Sequence, residues 1–181
     1  MNVIKEITKN RFLLLLMDEE EYDRKLGKII KSLEKTKTNI CYVCFSVPYQ
    51  HVVERLKEKG TDIKRFFFID VLSSHYSKPK PQKNCIFISE PKDLDKIRKA
   101  ILKTVIQKNC SIIIFDTISS LLVYQESYSI LKFTHNLIIS KEQENTKKIF
   151  IVLKDKTLKE EGEMLIKDLS LFADKLLKIK K

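Results

Sequence analysis

The sequence predicts an α/β domain of three layers: a mostly parallel, twisted sheet with helices on both faces. Two observations carry that prediction. Short apolar runs such as "RFLLLLM", "NICYVCFS", "RFFFIDVLS", "SIIIFD" and "KKIFIVLK" read as strands buried on both sides. Between them, apolar residues recur at helical spacing, and strands that alternate with helices of this length form parallel sheets through crossover connections. A chain of 181 residues is long enough for such a sheet and sets one domain over residues 1–181.

Taken in order, "RFLLLLM" (Arg11 to Met17) is the first strand. From Asp18 the period changes, and Tyr22, Leu26, Ile29, Ile30 and Leu33 mark one face of a helix. "NICYVCFS" is the second strand, and Pro48 opens a helix that runs through Leu56 and stops at Gly60. "RFFFIDVLS" is the third strand. "SSHYSKPKPQKN" (Ser73 to Asn84) is the one long irregular connection, after which "NCIFIS" adds a short strand. "DLDKIRKAILKTVIQK" follows Pro91 as a helix and leads into the strand "SIIIFD". The remainder reads as helix ("YSILKFTHNLIISKEQ"), strand ("KKIFIVLK"), helix ("EEGEMLIKDLSLFA") and a last strand ("DKLLKIKK"). No internal repeat or low-complexity linker interrupts the pattern.

Composition narrows the function classes. A hydrophobic content of 43% beside 33% charged residues belongs to a globular chain. No apolar run approaches the roughly 20 residues of a membrane span, and the early Lys5, Glu6 and Lys9 do not read as a signal peptide, so a cytoplasmic, membrane-free protein is expected. The four cysteines sit in or beside strand-like runs as small hydrophobes. "CYVC" sends Cys41 and Cys44 to opposite faces of a strand, which suits neither zinc nor a redox pair. His51, His75 and His135 lack ligand spacing, and no metal or cofactor is expected. The net charge of +11 reflects lysines spread along the chain, with dense clusters only at "KPKPQK", "KIRKAILK" and the terminal "KIKK". A solvated surface accounts for them, and no nucleic-acid-binding motif accompanies them.

In parallel sheets ligands bind beyond the carboxyl ends of the strands, which directs attention to the residues after Met17, Ser46, Asp70 and Asp116. There "CIFISEPKDLDKIRKAI", "SIIIFDTISSLLVYQESYSILKFTHNLI" and the terminal "LFADKLLKI" together resemble the RecA-like ATPase superfamily, in particular its KaiC-like branch in archaea and bacteria. The resemblance runs in order from about Phe12 to Ile179 and implies a RecA-like P-loop NTPase core. In that family the first strand enters a glycine-rich phosphate loop (Walker A), and the strand ending at Asp116 supplies a carboxylate for magnesium (Walker B).

The loop is not present in recognisable form. "DEEEYDRKLGKII" places Asp18, Glu21 and Asp23 where glycines belong, and Arg24 and Lys25 at the Lys and Ser/Thr positions. Shifting the register to "GKI" puts Tyr22 at the first glycine and Ile29 at the magnesium hydroxyl. A helix start carrying Asp18 as its cap and Glu19, Glu20 and Glu21 in its first turn answers its own dipole with carboxylates and repels polyphosphate. Where the family carries a water-orienting glutamate, the chain has Ser46, Val47 and Pro48. Asp116 is then a relic that caps the following turn through Thr117 or Ser119.

The expectation is a pseudo-ATPase: a KaiC-like domain, not an enzyme, that acts as a protein-interaction or regulatory module through a protein partner or as a homo-oligomer. His75, Tyr124 and Tyr128 are the candidate contact residues. Two alternatives stay open. One is nucleic-acid binding through the basic surface; the other is a cryptic nucleotide-binding enzyme built from Asp70, Ser73, His75 and Asp116 at the carboxyl edge.

Overall fold

The computed structural model describes residues 3–141, 144–154 and 159–179. Its helices are α1 (Val3–Lys9), α2 (Tyr22–Glu34), α3 (Tyr49–Glu58), α4 (Ser73–Tyr76), α5 (Leu94–Lys108), α6 (Ser127–Ile139) and α7 (Lys159–Phe172). The strands are β1 (Phe12–Asp18), β2 (Asn39–Cys44), β3 (Phe66–Asp70), β4 (Cys85–Phe87), β5 (Cys110–Asp116), β6 (Lys147–Lys154) and β7 (Lys175–Ile179). All seven strands form one parallel sheet in the order β4-β3-β2-β5-β6-β1-β7.

The two-residue period of the strands divides the core in two. Leu13, Leu15 and Met17 of β1, with Ile40, Tyr42 and Cys44 of β2, face the helices α2 and α3. Leu14, Leu16, Cys41 and Val43 face the opposite way, onto α5, α6 and α7. Cys41 and Cys44 therefore lie in different cores, as the strand reading of "CYVC" requires, and all four cysteines are free and buried.

Local chemistry fixes the helix ends. The Asp93 side chain accepts the Lys96 N–H at 2.8 Å to start α5, and Asn109, at φ 48°, ends it in the left-handed conformation that asparagine tolerates. Pro48 directly precedes α3, and Gly60 at φ +66° lets the chain turn away after it.

The structure departs from the sequence reading in five places. Helix α1 was not expected; of its residues Ile7 is buried, and a seven-residue segment gives too short a period to recognise. A single turn, α4, sits inside the connection after β3. Helix α6 ends at Ile139 rather than at Gln143, with Ser140 extended, and Gln143 itself lies outside the described residues. "SSLLV" forms a 3-10 turn over Ile118–Val123. Asp18 does not cap through its side chain: it closes β1 opposite Lys154 of β6, and its carboxylate sits 3.4 Å from the Lys154 ammonium. The last two lysines of the predicted final strand also lie outside the described residues.

The sheet is closed on its β7 side by Asp174. One carboxylate oxygen accepts the N–H groups of Arg11 (2.7 Å) and Phe12 (2.8 Å), while the Asp174 N–H donates to the Phe12 carbonyl at 3.0 Å. This pins the start of β7 to the start of β1. Asp174→Ala should cost about 1–2 kcal/mol in urea unfolding, and amide exchange should quicken in β7 while β2 and β5 stay protected.

Candidate functional site

Chain progression runs outward from β2 through β3 to β4, then returns to β5 and proceeds to β6. The carboxyl ends of β2 and β5 thus flank the point where the winding reverses, the place where such sheets open a ligand crevice. Asp116, the last residue of β5, stands in it. Its carbonyl accepts the N–H of Phe45 at 2.6 Å and of Ser46 at 3.3 Å, so the chain after β2 is held against it.

The Asp116 side chain is 1% exposed. Tyr22, the first residue of α2, donates its hydroxyl to one carboxylate oxygen, and Tyr42 of β2 donates to the other. Burial pushes the Asp116 carboxyl up to about 6, while the two phenols and the Arg55 guanidinium pull the other way. Both tyrosines are in turn held above the usual phenol range, chiefly by burial and then by the Asp116 charge.

Above this triad Arg55 of α3 pairs with Asp23 of α2, and Lys59 donates to the Asp23 carbonyl. Gly27 lets α2 pass close to Lys59, since a Cβ there would lie 2.6 Å from that side chain. The cavity left between Asp23, Arg55, Tyr42 and Asp116 is about 20 Å³, room for one water molecule.

The residues read from sequence as the phosphate-loop region occupy a 3-10 turn over Glu19–Glu21 and the first turn of α2. Arg24 pairs with Glu21, and Asp23 with Arg55, while Lys25 is half-buried. Asp116 does not cap the turn after it, because both its oxygens are taken by tyrosines. That turn is instead tied by the Thr117 and Ser120 hydroxyls, 2.7 Å apart, and by Ser119, whose hydroxyl accepts the Leu153 N–H at 3.3 Å.

Asp70 is likewise fully hydrogen-bonded. Its carboxylate accepts the N–H groups of Tyr49 (2.7 Å), Leu72 (2.8 Å) and Ser73 (2.9 Å) and the Ser73 hydroxyl (2.6 Å). It starts α3 and shapes the turn into α4. His75 is not joined to it: the ring is exposed and rests edge-on against Tyr76. His75 does meet Tyr124, with Pro91 and Val123, along an apolar groove beside the carboxyl edge. Tyr128, 72% exposed on α6, lies outside that groove. Among the described residues no three His, Cys, Asp or Glu side chains converge as metal ligands, and no helix is long and apolar enough to cross a membrane.

Tyr22 and Tyr42 are the site residues that sequence reasoning missed. Tyr22 counted only as one apolar position of a helix face, and Tyr42 as one of a strand. A tyrosine within an otherwise aliphatic buried strand was the available signal, since a buried phenol finds a hydrogen-bond partner.

No family model matches the chain, and no curated protein matches it in sequence. Solved structures do share its fold. A KaiC-like protein from the hyperthermophilic archaeon Pyrococcus horikoshii superposes with a TM-score of 0.65 at 15% identity, over 95% of this chain and 74% of its own. An uncharacterized protein from the same organism, in complex with an unknown peptide, superposes with a TM-score of 0.69 at 15% identity, over 94% of this chain and 78% of its own. The fold is that of the KaiC-like proteins, consistent with a RecA-like core.

The raised Asp116 carboxyl has a definite sign. Its ordinary value is 3.8 and its folded value about 6, so between those limits the unfolded chain loses the proton first. Rising pH there lowers stability, and above about 6 the cost is constant. Tyr22→Phe and Tyr42→Phe each withdraw a donor from the buried carboxylate. Each should cost about 1–3 kcal/mol at pH 8 and less at pH 4, where the carboxyl is protonated. Urea unfolding at the two pH values checks this.

Proposed function

We propose that this chain is a KaiC-like domain that does not hydrolyse nucleotide and works by binding a protein partner. The observation that carries the reading is the enclosure of Asp116. In the family resemblance this carboxylate would serve magnesium, a cation that demands near-octahedral oxygen ligands and keeps several of its waters. Here both carboxylate oxygens are engaged by phenols and the adjoining space has room for only one water. One of those phenols comes from Tyr22, within the segment that the resemblance assigns to the phosphate loop.

The entrance supports the same reading. No glycine occurs between Asp18 and Leu26, so no stretch of bare backbone is offered to phosphate oxygens. Glu19 and Glu20 are exposed at the start of α2, where an incoming polyphosphate would meet like charge. The cryptic-enzyme alternative loses its strongest member, because the Asp70 carboxylate is fully occupied by the chain around it.

Binding of a protein fits what remains at the carboxyl edge. The groove of His75, Pro91, Val123 and Tyr124 is apolar and open, and Tyr76 beside it is 74% exposed. A structural relative with the same fold was solved with a peptide bound, which makes peptide capture an activity worth assigning to this architecture.

The first test is thermal melting with magnesium and about 5 mM ATP, ADP or GTP at fixed ionic strength. A ligand at a hundredfold its Kd adds about 2.7 kcal/mol to stability, or roughly 5–10 °C for a chain of this size. We expect no shift. A shift of that size, abolished by Asp116→Ala in a protein that still folds, would overturn the reading and make the domain a nucleotide-binding one.

A further inference from the structure

Two of the three lysine clusters, "KPKPQK" and "KIRKAILK", belong to the β4–β3 side of the folded sheet. Between Lys64 and Lys108 the chain has eleven Lys and Arg against four Asp and Glu, so +7 of the total +11 resides in a quarter of its length. That segment builds β3, the edge strand β4, the loop between them and α5. The loop carries Lys78, Lys80 and Lys83 alongside β4. Arg65 is exposed immediately before β3.

Helix α5 adds the other half. Arg98 faces α6 across a shared polar groove. At 100° per residue Lys99 and Lys103 stand about 100–140° away around the axis: Lys99 faces outward, opposite the buried Ile97, Ile101 and Thr104, and Lys103 lies beside it on the flank remote from Arg98. Ile97 and Ile101 point the other way, into the core. Among the described residues, none of Arg65, Lys78, Lys80, Lys83, Lys99 and Lys103 has a carboxylate within ion-pair distance. Elsewhere cations such as Arg24, Lys31 and Arg55 are paired.

We propose that this β4 edge binds the phosphate backbone of single-stranded nucleic acid without sequence preference. Lysine is depleted at protein interfaces, and five of these six cations are lysines. Flexible ammonium groups on a loop and a helix face suit phosphates as point charges and lack the forked geometry that reads base edges. Tyr76, which opens the loop and is 74% exposed, supplies a face on which one base can stack. The inference rests on this surface alone and stands whether or not the domain binds nucleotide.

Fluorescence anisotropy with a labelled 20-nucleotide oligo-dT tests it. Six phosphate contacts at about 0.7 each predict a slope near −4 for log K against log salt. The set K78E/K80E/K99E/K103E should weaken binding at least tenfold and flatten the slope toward −1. The set K28E/K57E/K175E/K178E makes the same change in net charge at exposed positions away from this edge and should stay within about twofold of wild type. Lys→Gln versions of both sets repeat the comparison should either charge-reversed protein fail to fold. Equal losses in both sets, displacement of the oligonucleotide by poly-glutamate at equal charge, or no wild-type binding at 50 mM salt would each overturn the proposal.

Discussion

A carboxylate cut off from water has to be hydrogen-bonded, and in this fold the groups that satisfy Asp116 also fasten three elements together. Tyr22 brings in the start of α2, Tyr42 brings in β2, and Asp116 itself ends β5. The same residue holds the chain leaving β2 through its carbonyl. On the far side of β2, Asp70 plays a parallel part with backbone amides as donors, starting α3 and shaping the turn into α4. The two carboxylates lie at equivalent register positions, each paired with Cys44 of the strand between them, roughly 10 Å apart across two strand spacings. Both acids of the crevice are therefore spent on architecture. An unpaired buried polar group costs more than a formed bond returns, which explains why these contacts use every oxygen they have.

Much of this was legible in the sequence, and the boundary of legibility has a physical basis. The strands were readable because burial on both faces turns each into an unbroken apolar run, as "SIIIFD" illustrates. Helix α2 was readable because Tyr22, Leu26, Ile29, Ile30 and Leu33 all serve one core face. A one-turn helix such as α4 has no period to detect, and α1 has hardly more. The partners of Asp116 were hidden for another reason: they lie 94 and 74 residues away, and nothing local to either tyrosine records the pairing. The capping role given to Asp116 and to Asp18 failed alike, because a short acidic side chain at a strand end has tertiary partners as well as local ones. The charge pattern was visible as clusters, but only the strand order and the placement of α5 show that two of them belong to one side of the sheet.

Fold likeness at 15% identity says that the layering is specified by the pattern of burial more than by particular residues. Function is a separate matter, since one fold hosts many activities. At the carboxyl edge of this chain, phenols and backbone amides occupy the oxygens of Asp116 and Asp70.

An open parallel sheet ends in two strands whose outer backbone groups invite pairing with other chains. Here β4 is three residues long, and β7 presents exposed Lys175 and Lys178. A very short strand offers little template, and lysines on an edge resist alignment with a second copy of themselves. The sheet consequently has no easy way to grow. Such edges favour contact through helix faces and loops over extension of the sheet.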